Sequence, residues 1–228
     1  MDERLTRSSL LRLAGLTAAG VGLGASEAGA ASGGPAAVSS GLVSCVLTPE
    51  QTEGPFYVPG ENVRRNITEG RPGLPLTLRL SVLDVSTCRP IKGAAVDVWH
   101  ADAGGVYSGE SSLRTAGETF MRGVQRTDVT GLAVFQTVYP GWYQGRTVHV
   151  HVKVHVAGNV VHTGQLYFPD SLTDAVYRQE PYARRPGRTT RNAGDAIFRN
   201  GGRQSMLTLK KHSGRAYVGS IRMGVHRA

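Results

Sequence analysis

The stretch Thr147-Val148-His149-Val150-His151-Val152-Lys153-Val154-His155-Val156 decides the reading of this chain. Every second residue from Val148 to Val156 is valine, so in an extended strand five β-branched side chains share one face. Thr147, His149, His151, Lys153 and His155 share the other. The valines form a core-facing surface. Opposite them, His149 and His151 stand two residues apart, with roughly 7 Å between their Cα atoms, close enough for both imidazoles to meet one metal ion. His155 begins roughly 13 Å from His151 along such a strand, too far to join the pair easily. Taken alone, the spacing is a weak signal that more often marks two polar residues facing solvent than a metal pair.

The same alternation runs outward from this strand. Leu76 to Val82, Ala94 to Trp99, Leu132 to Val138, Gln165 to Phe168, Met206 to Leu209 and Ala216 to Met223 all read as strands. Turn clusters such as Asp102-Ala103-Gly104-Gly105 and Asp128-Val129-Thr130-Gly131 separate them. The chain carries 30 Gly and 11 Pro among 228 residues, so turns are frequent and long helices few. One short helix is expected between Ser171 and Gln179. The expected fold class is all-β, a β-sandwich of mixed short strands with long loops at the site. A hydrophobic share of 40% with 19% charged residues fits a folded rather than a disordered chain. No run of 18 apolar residues occurs beyond the first thirty, which argues against a polytopic membrane protein and stable membrane insertion.

Arg4, Arg7 and Arg12 precede a weakly apolar Gly/Ala-rich stretch, and Ala28-Gly29-Ala30-Ala31 supplies a small-residue cleavage pattern. Residues 1–31 are therefore expected to be an export signal, similar to twin-arginine signals although the Arg pair reads Arg7-Ser8. A linker over 32–40 and one domain over 41–228 follow, and the location is extracellular or the cell envelope. In an oxidising compartment Cys45 and Cys88 make a plausible disulfide, against the alternative of two unrelated thiols.

The net charge of +9 is uneven: between Arg178 and Arg227 stand twelve Arg or Lys and two acids, Glu180 and Asp195. Such a basic quarter suits a solvated face or an anionic polymer. No nucleic-acid-binding motif accompanies it, so no nucleic-acid partner is expected.

Upstream of the histidines, Pro140-Gly141-Trp142-Tyr143-Gln144-Gly145-Arg146 delivers a Tyr and an Arg beside the strand, and Tyr107 closes an earlier loop. The order W-H-x-D-x-x-G-x-Y-S from Trp99, then T-D-x-x-G-x-x-x-F-x-T-V-x-P-G-x-Y-x-x-R-x-x-H-x-H from Thr127, resembles the intradiol ring-cleavage dioxygenases. Thr52-Glu53-Gly54-Pro55-Phe56-Tyr57 resembles that family's entry segment. The resemblance spans roughly residues 47 to 169.

The resemblance implies a non-haem Fe(III) cofactor held by Tyr107, Tyr143, His149 and His151. Phenolates are hard anionic donors that favour ferric iron. It further implies a small catechol-type substrate and O2, with the ring opened between its two hydroxylated carbons to a muconate-type diacid. Tyr143 would be the ligand that yields to substrate, and Arg146 would stabilise developing negative charge. Gln165 would bond near the reacting oxygen, while Trp99, His100 and Asp102 would brace the site. The pocket mouth is assigned to Tyr57, Asp84 and the loop from Ser108 to Arg122. An export signal stands where cytoplasmic members carry a helical dimerisation region, so the resemblance transfers no oligomeric state. By themselves the residues also fit a basic β-sandwich that binds wall polymer or lignin fragments, or a zinc or copper enzyme built on the histidine pair.

Overall fold

The computed structural model describes residues 45–60 and 62–227. The expected export signal (1–31), the linker (32–40) and residues 41–44 of the expected domain lie outside the described residues. Among the described residues eight strands carry the fold: β1 (Pro75–Asp84), β2 (Ala95–Trp99), β3 (Arg122–Arg126), β4 (Leu132–Val138), β5 (His149–Val156), β6 (Asn159–Tyr167), β7 (Thr208–Lys211) and β8 (Tyr217–Val225). They form two four-stranded sheets in the orders β4-β1-β8-β7 and β3-β2-β5-β6. Every pairing is antiparallel except β1 with β8, which run parallel. The architecture is the expected all-β sandwich.

Alternation builds the core. Leu76, Leu78, Leu80 and Val82 of β1 and Phe135 of β4 face Val96 and Val98 of β2 and Val150, Val152 and Val154 of β5, all fully buried or nearly so. Each such side chain contributes about 1.5–3 kcal/mol on leaving water. The opposite face of β5 is buried as well: His149 is 3% exposed, His151 1% and Lys153 6%. Residues 51–57 cause this by crossing over that face as a strap. Gln51 N donates to Thr163 O and Gln165 Nε2 to Thr52 O, at 2.9 and 3.0 Å. Further along, Lys153 pairs with Glu53 and lies 3.5 Å over the Tyr57 ring.

Several elements depart from the sequence expectation, among them the seventh strand, which starts at Thr208 rather than Met206. Strand β3 reads Arg-Gly-Val-Gln-Arg and has no apolar alternation, because backbone pairing to β2 and a buried arginine hold it instead of a hydrophobic face. Arg122, 1% exposed, donates to Phe56 O, Ser108 Oγ and Ser108 O. Strand β6 begins earlier than expected, since Ala157 and Gly158 both adopt left-handed φ (50° and 88°) and close a hairpin. The helix expected at 171–179 occupies Asp170–Val176 (α1), and a further helix, α2 (Ala196–Arg199), is capped by the Asp195 side chain. Cys45 and Cys88 form a disulfide. Among the described residues no helix is long and apolar enough to cross a membrane.

Candidate active site

Strand β5 presents His149 and His151 beneath the strap, with Gln165 and Trp99 paired on either side of His151. The Trp99 indole stacks on the His151 ring at 4.9 Å with 5° between planes. Gly54 passes over the same ring so closely that a methyl group there would lie 3.1 Å from His151 Cε1. The two imidazole Nε2 atoms stand 3.1 Å apart, and Tyr143 Oη lies 3.2 Å from His149 Nε2. The Tyr107 ring completes the group, 5.6 Å from Tyr143 and 6.2 Å from His151 between centroids. Phe56 stacks on Tyr107 at 4.3 Å and covers it.

Two loops bring the tyrosines together, and glycine makes that approach possible. Asp102 Oδ1 accepts from Gly104 N and Val106 N (2.8 and 3.0 Å), which shapes the turn before Tyr107. A Cβ on Gly105 would fall 2.1 Å from Trp142 O, and one on Gly141 would fall 2.5–2.6 Å from Ala103 O, Gly105 N and Asp102 O. The loops thus interlock backbone to backbone, joined by Gly141 N donating to Asp102 O at 2.9 Å. His100 pins the first loop to β4: its Nδ1–H donates to Ala101 O and its Nε2 accepts from Thr137 Oγ1, both at 2.8 Å.

Burial sets the charges. It pushes His149 down to about 3 and His151 well below the usual imidazole range, so both rings are neutral near neutral pH. His149 Nδ1–H donates to Thr147 O at 2.7 Å, which leaves the lone pair on Nε2 facing the cluster. Burial also raises the Tyr107 phenol well above its ordinary value, and the neighbouring Tyr143 adds to the rise. Tyr143, half-buried, is raised for the same first reason, opposed by the Arg146 cation. Tyr107 Oη is buried without a hydrogen-bond partner. An orphaned phenol, a second phenol and two neutral imidazoles make a donor set suited to a hard, highly charged metal ion, whose charge would favour the phenolates. Among the described residues no three His, Cys, Asp or Glu side chains gather for a metal, so any such centre here depends on the tyrosines.

Arg146 points its guanidinium into this group. Nη1 donates to Tyr143 Oη at 3.4 Å, Nη2 to Gln165 Oε1 at 2.5 Å and Nε to Asp195 Oδ2 at 2.8 Å. Gln165 also accepts from Tyr167 Oη at 3.2 Å, so its amide bridges Arg146 to the strap. Tyr107, Tyr143, His149 and His151, with Arg146 and Gln165, therefore meet in one place. Tyr57 lies in the strap over Trp99, at 4.8 Å. Asp84 instead caps the Ser86 turn at the end of β1, and His155 remains at the half-buried end of β5. Sequence reasoning missed Phe56 as a cover and Asp195 as the partner of Arg146. The contact in the second case joins positions 49 apart, and no local pattern marks it.

A family model described as Dioxygenase matches residues 52–181, more than half of the chain. An intradiol ring-cleavage dioxygenase from Tetranychus urticae is 35% identical, superimposes with a TM-score of 0.76, and is covered over 98% of its length by 81% of this chain. The dioxygenase domain of a dioxygenase–carbohydrate-binding fusion from Streptomyces sp. SirexAA-E is 32% identical with a TM-score of 0.63, matched over 80% of this chain and 100% of that one. Catechol 1,2-dioxygenase 1 of Acinetobacter lwoffii is 30% identical over 101 residues, a match spanning 42% of this chain but only 32% of that protein. With the sandwich, the interlocked tyrosine loops and the histidine strand already in view, the chain belongs to the intradiol ring-cleavage dioxygenases.

Proposed function

We propose that the protein is a non-haem Fe(III) dioxygenase that opens catechol-type rings between the two hydroxylated carbons with O2, yielding muconate-type dicarboxylic acids. Tyr107, Tyr143, His149 and His151 would hold the iron. The observation that carries this reading is the convergence of two phenols and two neutral imidazoles, with Tyr107 Oη buried and unpartnered. When bound, the iron supplies the charge that keeps the phenols ionised and the electronic path by which a catechol reacts with O2.

The chain's own residues supply the rest. Tyr143 is the more exposed phenol, so its oxygen is placed to accept a catechol proton as substrate enters. Arg146, beside that oxygen, stabilises negative charge growing on the substrate. Phe56, Trp99 and the strap keep water from the opposite side. Export is part of the same reading, supported by the Cys45–Cys88 disulfide and by the basic-then-apolar N-terminal sequence.

The test is oxygen uptake by iron-loaded protein across a panel of catechols, with product mass. The expected product is the diacid of intradiol cleavage carrying both oxygen atoms, from a burgundy protein whose visible band is lost in Tyr107→Phe or Tyr143→Phe. A colourless iron-loaded protein or an extradiol product would overturn the reading.

A further inference from the structure

Arg146 is held from a part of the chain that the family match does not reach. Asp195, 1% exposed, stands at the start of α2, and its two oxygens accept four hydrogen bonds. Oδ1 takes Ile197 N and Phe198 N at 2.8 and 2.9 Å; Oδ2 takes Arg146 Nε and Thr147 N, both at 2.8 Å. Asn192 reinforces the hold: its Oδ1 accepts from Thr147 Oγ1 at 2.6 Å, while its Nδ2 donates to Phe168 O at 2.9 Å. The Thr147 carbonyl in turn receives His149 Nδ1–H.

A helix cap requires only the first pair of bonds, and a serine would satisfy it. The second pair places a buried carboxylate against a guanidinium that is itself largely covered, with 16% of its side chain exposed. A guanidinium is planar and rigid, so fixing Nε also fixes where Nη1 and Nη2 point. Those two nitrogens meet Tyr143 and Gln165.

We propose that Asp195 is a positioning residue of the ring-cleavage site. It aims the charge of Arg146 at the Tyr143 oxygen and, through Thr147, steadies the His149 ring. The segment 192–198 thereby sets the geometry of a site whose other parts lie between residues 51 and 167. The catalytic half of this inference rests on the dioxygenase reading above.

Asp195→Asn keeps the size and an acceptor oxygen but removes the charge. In the iron-loaded protein, kcat is expected to fall about ten- to hundredfold with a much smaller change in KM. The tyrosinate band is expected to shift, and the melting temperature to fall as well, because the amide Nδ2 faces two N–H donors and the buried guanidinium loses its counter-charge. In the Arg146→Gln background the same substitution should add no further loss, whereas losses that multiply would overturn the inference. A second readout needs neither iron nor substrate. In the metal-free parent protein the Arg146 Nε–H resonance should exchange slowly with solvent, and Asp195→Asn should abolish that protection. Rapid exchange in the parent, or protection that survives the substitution, overturns the clamp. Parent protein inactive on every catechol overturns the dioxygenase reading and the catalytic half with it, while the Arg146 resonance still decides the clamp.

Discussion

His100 shows how a single buried side chain couples this fold to pH. Burial brings its pKa down to about 4, and both ring nitrogens are engaged with Ala101 O and Thr137 Oγ1. The native ring is therefore neutral where the unfolded chain, with an ordinary value near 6.5, takes up a proton. Stability contributed by this residue is present above about pH 6.5 and is lost as pH falls toward 4, by up to about 1.4 kcal/mol per pH unit. His149 and His151 act in the same direction. Urea unfolding of metal-free protein at pH 7 and pH 5 should show a smaller loss for His100→Gln than for the parent, by about 1–2 kcal/mol. Parallel profiles for the two proteins would contradict this. At this scale the site residues were legible because each sits in a short pattern with a fixed neighbour: Gly105 before Tyr107, Gly141 before Tyr143, alternating valines around the histidines. Asp195 was not, because a lone aspartate at the head of a four-residue helix carries no mark of the arginine it meets.

The loops around Tyr107 and Tyr143 behave as one element. Their backbones touch at Gly105 and Gly141, where no side chain fits without displacing carbonyl or amide atoms. Gly141→Ala is expected to separate them at a cost of about 3 kcal/mol or more, since the clash is with backbone that cannot rotate away. Under the proposed function, iron binding should weaken with it, which metal analysis after dialysis would show beside the denaturation midpoint. Unchanged metal content would mean that the tyrosines do not rely on this contact. Strands with alternating apolar residues, β1, β4 and β5, were readable almost to their ends. Strand β3 was not, because Arg122 and Gly123 are placed by what they touch: the arginine spans Phe56 and Ser108, and a Cβ on Gly123 would lie 2.7 Å from Ile67 Cγ2. The burial of both faces of β5 was also beyond reach, since it depends on a strap drawn from about a hundred residues earlier, as Lys153 and Glu53 show.

Across the molecule, the segment from Cys45 to Thr48 is fastened twice. Cys45 is bonded to Cys88, 43 residues on, and Thr48 N donates to Gly224 O at 2.9 Å. In the chain-entropy account a loop of this size is worth about 4 kcal/mol. The Cys45→Ser/Cys88→Ser pair, or reduction of the parent, should lower unfolding stability by about 2–4 kcal/mol and leave the tyrosinate band in place. Loss of the band on reduction alone would show that the bridge reaches the site. The basic quarter proves partly structural: Arg188 pairs with Asp170 and Asp174, and Arg191 with Asp174. Fold class was legible from strand patterns, but the parallel union of β1 with β8 was not, because 132 residues separate Asp84 from Tyr217 and no local signal links them.

That union has a consequence for synthesis. The β3-β2-β5-β6 sheet has all its strands once Tyr167 leaves the ribosome, whereas β1, made first, must wait for residues 217–225 before its other edge is covered. The nascent chain therefore carries a bare strand edge through most of its production, and premature termination leaves that edge open to neighbouring chains.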